Sequence, residues 1–188
     1  MRKFLLLLVL LTNIYCQKDI QPKEGYMDSL TKDTQNISIN QMDPKQIINL
    51  FCARDFNGLR LKGHSMELTT WIEEPGWDGV VIIKDYKIAY CSIENEIALV
   101  SVKYFILGTY CGDELNKITK NNTEEVIFKV VKTVNGWKIN NPKLGPHVSV
   151  KAAKNHVAEL LTLEEEGSER IKILNDNLVE LEAWNIKQ

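Results

Sequence analysis

The order of apolar and polar positions divides this 188-residue chain into four segments. In the first, an unbroken apolar run over residues 4–11 follows the basic pair Arg2-Lys3, and Cys16 comes soon after it. This layout is typical of a secretory signal peptide, and the run is shorter than the roughly 20 apolar residues that cross a bilayer. We therefore expect residues 1–16 to direct export and the rest of the chain to be extracytoplasmic.

The second segment, 17–41, is polar and rich in Lys, Asp, Asn, Gln and Ser, which predicts a flexible tether. Two processing routes fit Cys16. Either it becomes the lipidated first residue of a bacterial lipoprotein, or an ordinary signal peptidase cuts after it and releases the protein. The preceding Asn13-Ile14-Tyr15 is a poor lipobox, but a tether of this length and composition suits a surface anchor. We expect a lipid anchor at Cys16, in the cell envelope.

The third segment, 42–148, is predicted to form the folded domain. Asp43-Pro44 is an N-cap followed by proline at the first helical position. Apolar residues then recur at helical spacing until Asn57-Gly58, where a helix would end. From residue 80 onward the pattern changes to strands rich in β-branched and aromatic residues. The predicted strands are 80–83, 86–91, 97–107 and 126–134.

Two features of these strands make specific predictions. The dipeptide Asn135-Gly136 predicts a hairpin with a type I′ turn, because both residue types tolerate positive φ. The segment 97–107 is apolar on both alternating sets except at Ser101 and Lys103, which predicts a central strand covered on both faces.

The fourth segment, 149–188, is helical in pattern. Apolar residues spaced by threes and fours from Val150 to Leu181 keep one register across Gly167. The pattern fits two helices that fold back at Gly167-Ser168, or one long helix with a weak middle. These helices either pack on the domain or mediate self-association through residues 150–184. The predicted fold class is α+β: an N-terminal helix on a curved antiparallel sheet, followed by one or two C-terminal helices.

The order of helix, Pro-Gly-Trp turn and sheet resembles the nuclear transport factor 2-like (cystatin- or ketosteroid-isomerase-like) α+β cone, as found in exported bacterial proteins. The residues that carry the resemblance are Asp43-Pro44, Phe51-Cys52, Asp55 to Leu61, Trp71, Pro75 to Asp78, Val102 to Tyr104, Leu107-Gly108, Asn135 to Ile139, Pro142 and Pro146-His147. The resemblance implies an apolar pocket between sheet and helices, on a scaffold that serves isomerases, dehydratases and non-catalytic binding modules.

An isomerase of this fold needs a carboxylate base in the pocket. Asp55 and Asp78 are the candidates, because each lies among aromatic or apolar residues. Both also have structural interpretations: Asp55 as a hydrogen-bond acceptor at the helix end, and Asp78 as the cap of the Pro-Gly turn, with Arg60 as its partner. The aromatic residues expected to line a ligand pocket are Trp71, Trp77, Tyr86, Tyr90, Tyr104 and Trp137.

Charge and cysteine content narrow the function classes. Without residues 1–16 the chain keeps 21 basic and 25 acidic residues, a net charge of −4, so nothing indicates nucleic-acid binding. Cys52, Cys91 and Cys111 allow one disulfide at most, and no His or Cys spacing indicates a metal or cofactor site. The sequence therefore favours an exported, lipid-anchored, non-enzymatic domain that binds a partner protein or a small apolar ligand. The alternative is a small isomerase- or hydrolase-like enzyme that uses a pocket carboxylate.

Overall fold

A computed structural model describes residues 38–185 of the chain. The predicted signal peptide, Cys16 and all of the predicted tether except residues 38–41 lie outside the described residues. Residues 38–185 belong to one compact unit, which includes the C-terminal helices. Its elements confirm the predicted α+β class: within these residues one α-helix is followed by five strands, and two further α-helices come after the strands.

Helix α1 spans Pro44–Phe56, and its start follows from the local sequence as predicted. The Asp43 carboxylate accepts a hydrogen bond from the Gln46 amide at 2.8 Å, and the Gln46 side chain accepts one from the Asp43 amide at 2.9 Å. This reciprocal capping box satisfies two amides that a helix start leaves open. The helix ends before Gly58, whose φ of 75° turns the chain back underneath it.

The sheet contains strands β1 (Gly79–Glu94), β2 (Ile97–Cys111), β3 (Glu114–Thr133), β4 (Gly136–Asn141) and β5 (His147–Ser149). Their spatial order is β4-β3-β2-β1-β5, so β2 is central as predicted. All neighbours are antiparallel except β1 and β5. The first two predicted strands form the single long strand β1, whose bulges bend it without ending it, and β3 begins 12 residues before its predicted start.

The β3–β4 hairpin differs from its prediction by one residue. Its loop is Val134-Asn135, and Gly136 is the first residue of β4, with a φ of 96°. Among the described non-glycine residues only Asn95 has positive φ, so Asn135 does not adopt the conformation of a type I′ turn. Close packing also requires a glycine at position 136, because a Cβ there would lie 2.9 Å from the Cα of Asn40.

The two faces of β2 differ, and the prediction of a strand covered on both faces is wrong for most of its length. Ala98, Val100, Val102 and Tyr104 point to the inner face and are buried against α1 and its surroundings. The side chains between them lie on the opposite side, which we call the outer face. Its exposed apolar members are Tyr90, Ile97, Leu99, Phe105 and Ile127, with Val131 half-buried.

The C-terminal segment forms two helices, α2 (Val150–Thr162) and α3 (Glu169–Asn185), which is the first of the two predicted arrangements. They pack together and cover the end of the sheet near Val80 and Tyr110. The buried residues Leu174, Leu181 and Trp184 belong to this core. The apolar residues of the predicted helical register therefore pack mostly within the domain.

Candidate functional site

The side chain of Arg60 forms the centre of a buried polar cluster beneath α1. Its guanidinium is fully buried: Nη1 donates to Asp55 Oδ2 at 3.1 Å and Nε donates to Glu74 Oε1 at 2.6 Å. Nη2 donates to the carbonyl oxygen of Leu144. A buried cation is tolerated only when it is paired and hydrogen-bonded, and these three contacts meet that requirement.

Local turns explain how Arg60 reaches this position. The chain leaves α1 at Gly58, and the Leu59 amide donates back to the Arg54 carbonyl at 2.9 Å, so that a short 3₁₀ turn, Arg60–Lys62, follows at once. This places Arg60 under the helix, beside Asp55 one turn earlier. The sequence-based pairing of Arg60 with Asp78 is wrong, because the partners of the guanidinium are Asp55 and Glu74.

Aromatic rings enclose the same guanidinium. Its carbon lies 4.9 Å from the ring centre of Phe51, 5.7 Å from that of Trp71 and 5.3 Å from that of Trp77. The indole N–H of Trp77 donates to Glu74 Oε1 at 3.3 Å, so Glu74 joins the cation and the ring. Cation–π contacts strengthen when water is excluded, as it is around this side chain.

Asp55 connects this cluster to the sheet. Besides accepting from Arg60, its Oδ2 accepts from the backbone amide of His147 at 2.8 Å, at the start of β5. Burial raises the pKa of Asp55 from 3.8 to about 7, and the Arg60 charge and the His147 amide oppose that rise. Asp55 is therefore a structural acceptor between helix and strand, and not the acceptor at the helix end that the sequence indicated.

His147 and Tyr104 continue the buried cluster into the sheet. Their rings stack with centres 4.3 Å apart, and the Tyr104 hydroxyl lies 3.3 Å from the Cys52 thiol. His147 Nδ1 lies 2.9 Å from the Gly145 carbonyl oxygen, so this nitrogen carries the proton. Burial lowers the pKa of His147 from 6.5 to about 4 and raises that of Cys52 to about 12. At neutral pH the cluster thus holds a neutral imidazole and an inert thiol.

A cleft of about 430 Å³ opens beside this cluster, between the 60–63 turn, the 74–79 turn and α2. Its lining combines aromatic and aliphatic side chains with a few polar ones. The residues that line it include Leu61, Trp77, Asp78, Tyr110, His156 and Leu160. A volume of this size lies within the range of pockets that bind small molecules.

The six aromatic residues predicted to line a pocket fall into different environments. Trp71, Tyr86 and Tyr104 are buried in the core around α1, and Tyr90 is exposed on the outer face. Trp137 is half-buried, with the Lys132 ammonium 5.2 Å from its ring centre. Trp77 is the member of the six that lines the cleft.

The two candidate carboxylates also lie in different environments. Asp55 is buried, whereas Asp78 is exposed at the rim of the cleft, where its backbone carbonyl accepts from the Gly112 amide at 3.1 Å. The cysteines among residues 38–185 are free thiols, with Cys91 half-buried and Cys111 exposed. Within the same residues no three His, Cys, Asp or Glu side chains cluster as metal ligands would, and no helix is long and apolar enough to span a membrane.

Sequence reasoning missed the contributions of Glu74 and His147 to the cluster. Both belong to non-helical segments, where periodicity gives no information about what a side chain faces. One signal was present: Glu74 precedes Pro75-Gly76, and His147 follows Pro146, so both are next to rigid turns that can fix a side chain.

Comparisons with known proteins add little to this picture. No family model matches the chain, and no curated protein matches it. A solved structure described as a nuclear transport factor 2-like (NTF2-like) transpeptidase from Campylobacter jejuni is similar over 63% of this chain and 85% of its own, at 11% identity and a TM-score of 0.23. The curled α+β fold is consistent with that neighbour, but a TM-score this low does not assign the chain to its family.

Proposed function

We propose that this chain is an exported, lipid-anchored domain with an NTF2-like fold, and that it binds a small apolar ligand without chemical conversion. The observation that carries the proposal is the cleft beside Arg60. Its walls include the rings of Trp77 and Tyr110 and the aliphatic side chains of Leu61 and Leu160, and its polar lining residues are Arg60, Glu74, Asp78 and His156. Apolar walls with a small number of polar groups are the usual composition of a small-molecule site.

The positions of the carboxylates support binding over catalysis. A general base must come within hydrogen-bond distance of the proton that it removes. Asp55 is enclosed, and its Oδ2 is already bonded to Arg60 and to the His147 amide. Asp78 borders the cleft at its rim, where its side chain is exposed to water and not enclosed with a bound ligand.

Binding is tested with a neutral, apolar naphthylamine fluorophore titrated into the mature chain. We expect saturable enhancement of its fluorescence, and Leu160→Gln should weaken binding because Leu160 lines the cleft. Leu163→Gln is the matched control, since Leu163 lies three residues further on and is exposed to solvent. Equal effects of the two substitutions, or no saturable binding, would contradict a ligand site in the cleft.

The anchor is tested by the intact mass of the protein isolated from membranes. A diacylglyceryl group on Cys16, lost in Cys16→Ser together with membrane association, would support the proposed localisation. A plain N-terminus at Gln17, or an unprocessed chain, would contradict it. This measurement is independent of the cleft, so ligand binding and anchoring can fail separately.

A further inference from the structure

The charged groups that line the cleft beside Arg60 differ in whether a ligand can reach them. The side chain of Arg60 is 0% exposed, and its nitrogens already donate to Asp55, Glu74 and the Leu144 carbonyl oxygen. An anionic ligand would have to displace an internal partner in order to pair with this guanidinium. The Glu74 side chain, in contrast, is 18% exposed, and Asp78 is exposed at the rim. The charge that the cleft presents to a ligand is therefore acidic.

Glu74 also keeps one carboxylate oxygen without a partner. Its Oε1 accepts from Arg60 Nε and from the indole N–H of Trp77, whereas the buried Oε2 accepts no hydrogen bond from residues 38–185. A buried carboxylate oxygen without a donor leaves negative potential in its surroundings, which a positive charge nearby would lower. Glu74 therefore makes this wall of the cleft more favourable for a cation than for a neutral or anionic group.

The other ionisable side chains at the cleft, among residues 38–185, do not offset this acidic character. His156 on α2 is neutral at pH 7, because burial lowers its pKa from 6.5. Lys62, on the turn that borders the cleft, donates to Glu159 at 2.6 Å, so its charge is already paired.

An aromatic ring lies next to the acidic side chains. Trp77 is half-buried in the cleft wall and directly precedes Asp78 in the chain. The face of an indole ring attracts cations, and the guanidinium carbon of Arg60 already lies 5.3 Å from the centre of this one. Leu61 and Leu160 add aliphatic surface in the same cleft. The cleft thus combines an acidic rim, an indole ring and apolar walls.

We propose that the ligand of this cleft is an amphipathic cation, in which an apolar chain or ring carries one ammonium group. The inference rests on the proposed function, because it specifies the chemistry of the ligand that the same cleft binds. The ammonium group pairs with the Asp78 carboxylate at the rim, next to the Trp77 ring, and keeps part of its hydration there. The apolar part lies along Leu61 and Leu160, where its burial supplies most of the affinity.

Isothermal titration calorimetry of the mature chain with three ligands of one chain length tests the proposal. Octylamine, octanol and octanoate share an alkyl chain and are cationic, neutral and anionic at neutral pH. We expect octylamine to bind about tenfold more tightly than octanol, and octanoate to bind more weakly than octanol. Leu160→Gln should weaken the binding of all three, since each uses the same aliphatic wall.

Asp78→Asn removes the charge of the rim and keeps the shape of the side chain. The hydrogen bond between this residue and the Gly112 amide uses the backbone carbonyl, so the substitution leaves it in place. We expect the advantage of octylamine over octanol to fall about threefold or more, with the binding of octanol unchanged. Glu73→Gln is the matched control, because Glu73 is an exposed carboxylate on the same loop that does not line the cleft. It should leave the advantage unchanged.

The outcomes separate this inference from the proposed function. Equal binding of octylamine and octanol, tightest binding of octanoate, or an advantage of octylamine that Asp78→Asn does not reduce would each overturn the inference, while ligand binding in the cleft would stand. If neither the neutral fluorophore nor any of the octyl ligands binds, the proposed function fails and the inference fails with it. Circular dichroism of each variant verifies that it is folded.

Discussion

Replacement of His147 by phenylalanine should change how stability depends on pH. The aromatic ring keeps the stack on Tyr104, and the backbone amide of residue 147 keeps its bond to Asp55, so the substitution removes the titrating group while it leaves those contacts. The imidazole is close to charged groups on two sides: the Arg60 cation disfavours its protonation, and a Glu124 carboxylate oxygen lies 4.0 Å from Nε2.

The sign and size follow from the two pKa shifts in the cluster. The pKa of His147 falls from 6.5 to about 4, so its contribution to the free energy of unfolding is present above pH 6.5 and is lost as pH falls through 4. At about 1.4 kcal/mol per pH unit, this contribution is ~3 kcal/mol. The pKa of Asp55 rises from 3.8 to about 7, so its contribution to the free energy of unfolding is present below pH 3.8 and is lost as pH rises through 7. Between pH 4 and 6.5 the two trends oppose each other and nearly cancel.

In His147→Phe, the pH dependence of stability that comes from Asp55 should therefore be seen without the opposing dependence from His147. Measured by urea unfolding at several values between pH 4 and 6.5, the stability of the variant should fall relative to the original chain by ~3 kcal/mol as pH rises. Asp55→Asn should show the opposite slope, and the double variant should show almost none. Asp176→Asn, on the exposed side of α3, controls for the loss of one carboxylate. A stability difference between His147→Phe and the original chain that is constant across this range would refute the reasoning.

Three further substitutions test other parts of the fold by urea unfolding. Arg60→Met should lower the free energy of unfolding by about 3–5 kcal/mol, because it leaves two acidic side chains without their cation. A loss below about 1 kcal/mol would contradict the buried ion pairs of Arg60. Gly108→Ala should lower the free energy of unfolding by about 1–3 kcal/mol, since the new Cβ would lie against the Asn116 carbonyl oxygen and 2.6 Å from the ring of Trp184; unchanged stability would contradict the packing of β3 and α3 around Gly108. Arg170→Ala removes a two-contact pair with Asp113 that is partly exposed, and should cost no more than about 1 kcal/mol.

The parts of the fold that the sequence predicted correctly are those with strong local signals. The capping box at Asp43 fixes the start of α1 within one turn of the chain, and the amphipathic spacing at 150–181 predicts the helical end. The central position of β2 follows from its apolar composition. These features depend on residues near one another in sequence, which a pattern can show.

The cluster around Arg60 depends on contacts that no local pattern encodes. Arg60 bonds to Leu144, which is 84 residues away, and Asp55 bonds to the His147 amide 92 residues away. The turn after Gly58 directs the guanidinium back towards Asp55, five residues earlier, whereas the sequence-based expectation paired it with Asp78. The direction that the chain takes after the helix decides which acidic residue the arginine meets.

A bulge in β1 explains why Tyr90 lies on the outer face and not beside the aromatic rings of the interior. In an unbroken strand Tyr86 and Tyr90 would share a face, since they are four residues apart. The bulge between Ile88 and Tyr90 adds one residue, so Tyr86 pairs with Tyr104 inside while Tyr90 pairs with Ser101 outside. One extra residue thus removes an aromatic ring from the interior and adds it to the exposed apolar side chains of the outer face. Deletion of Ala89, the bulged residue, should therefore remove the bulge and leave Tyr90 on the outer face, because Tyr90 would then follow Ile88 directly and keep Ser101 as its partner. A change in the number of tyrosines exposed to solvent, measured by solvent-perturbation absorbance spectroscopy of the deletion variant, would contradict this register.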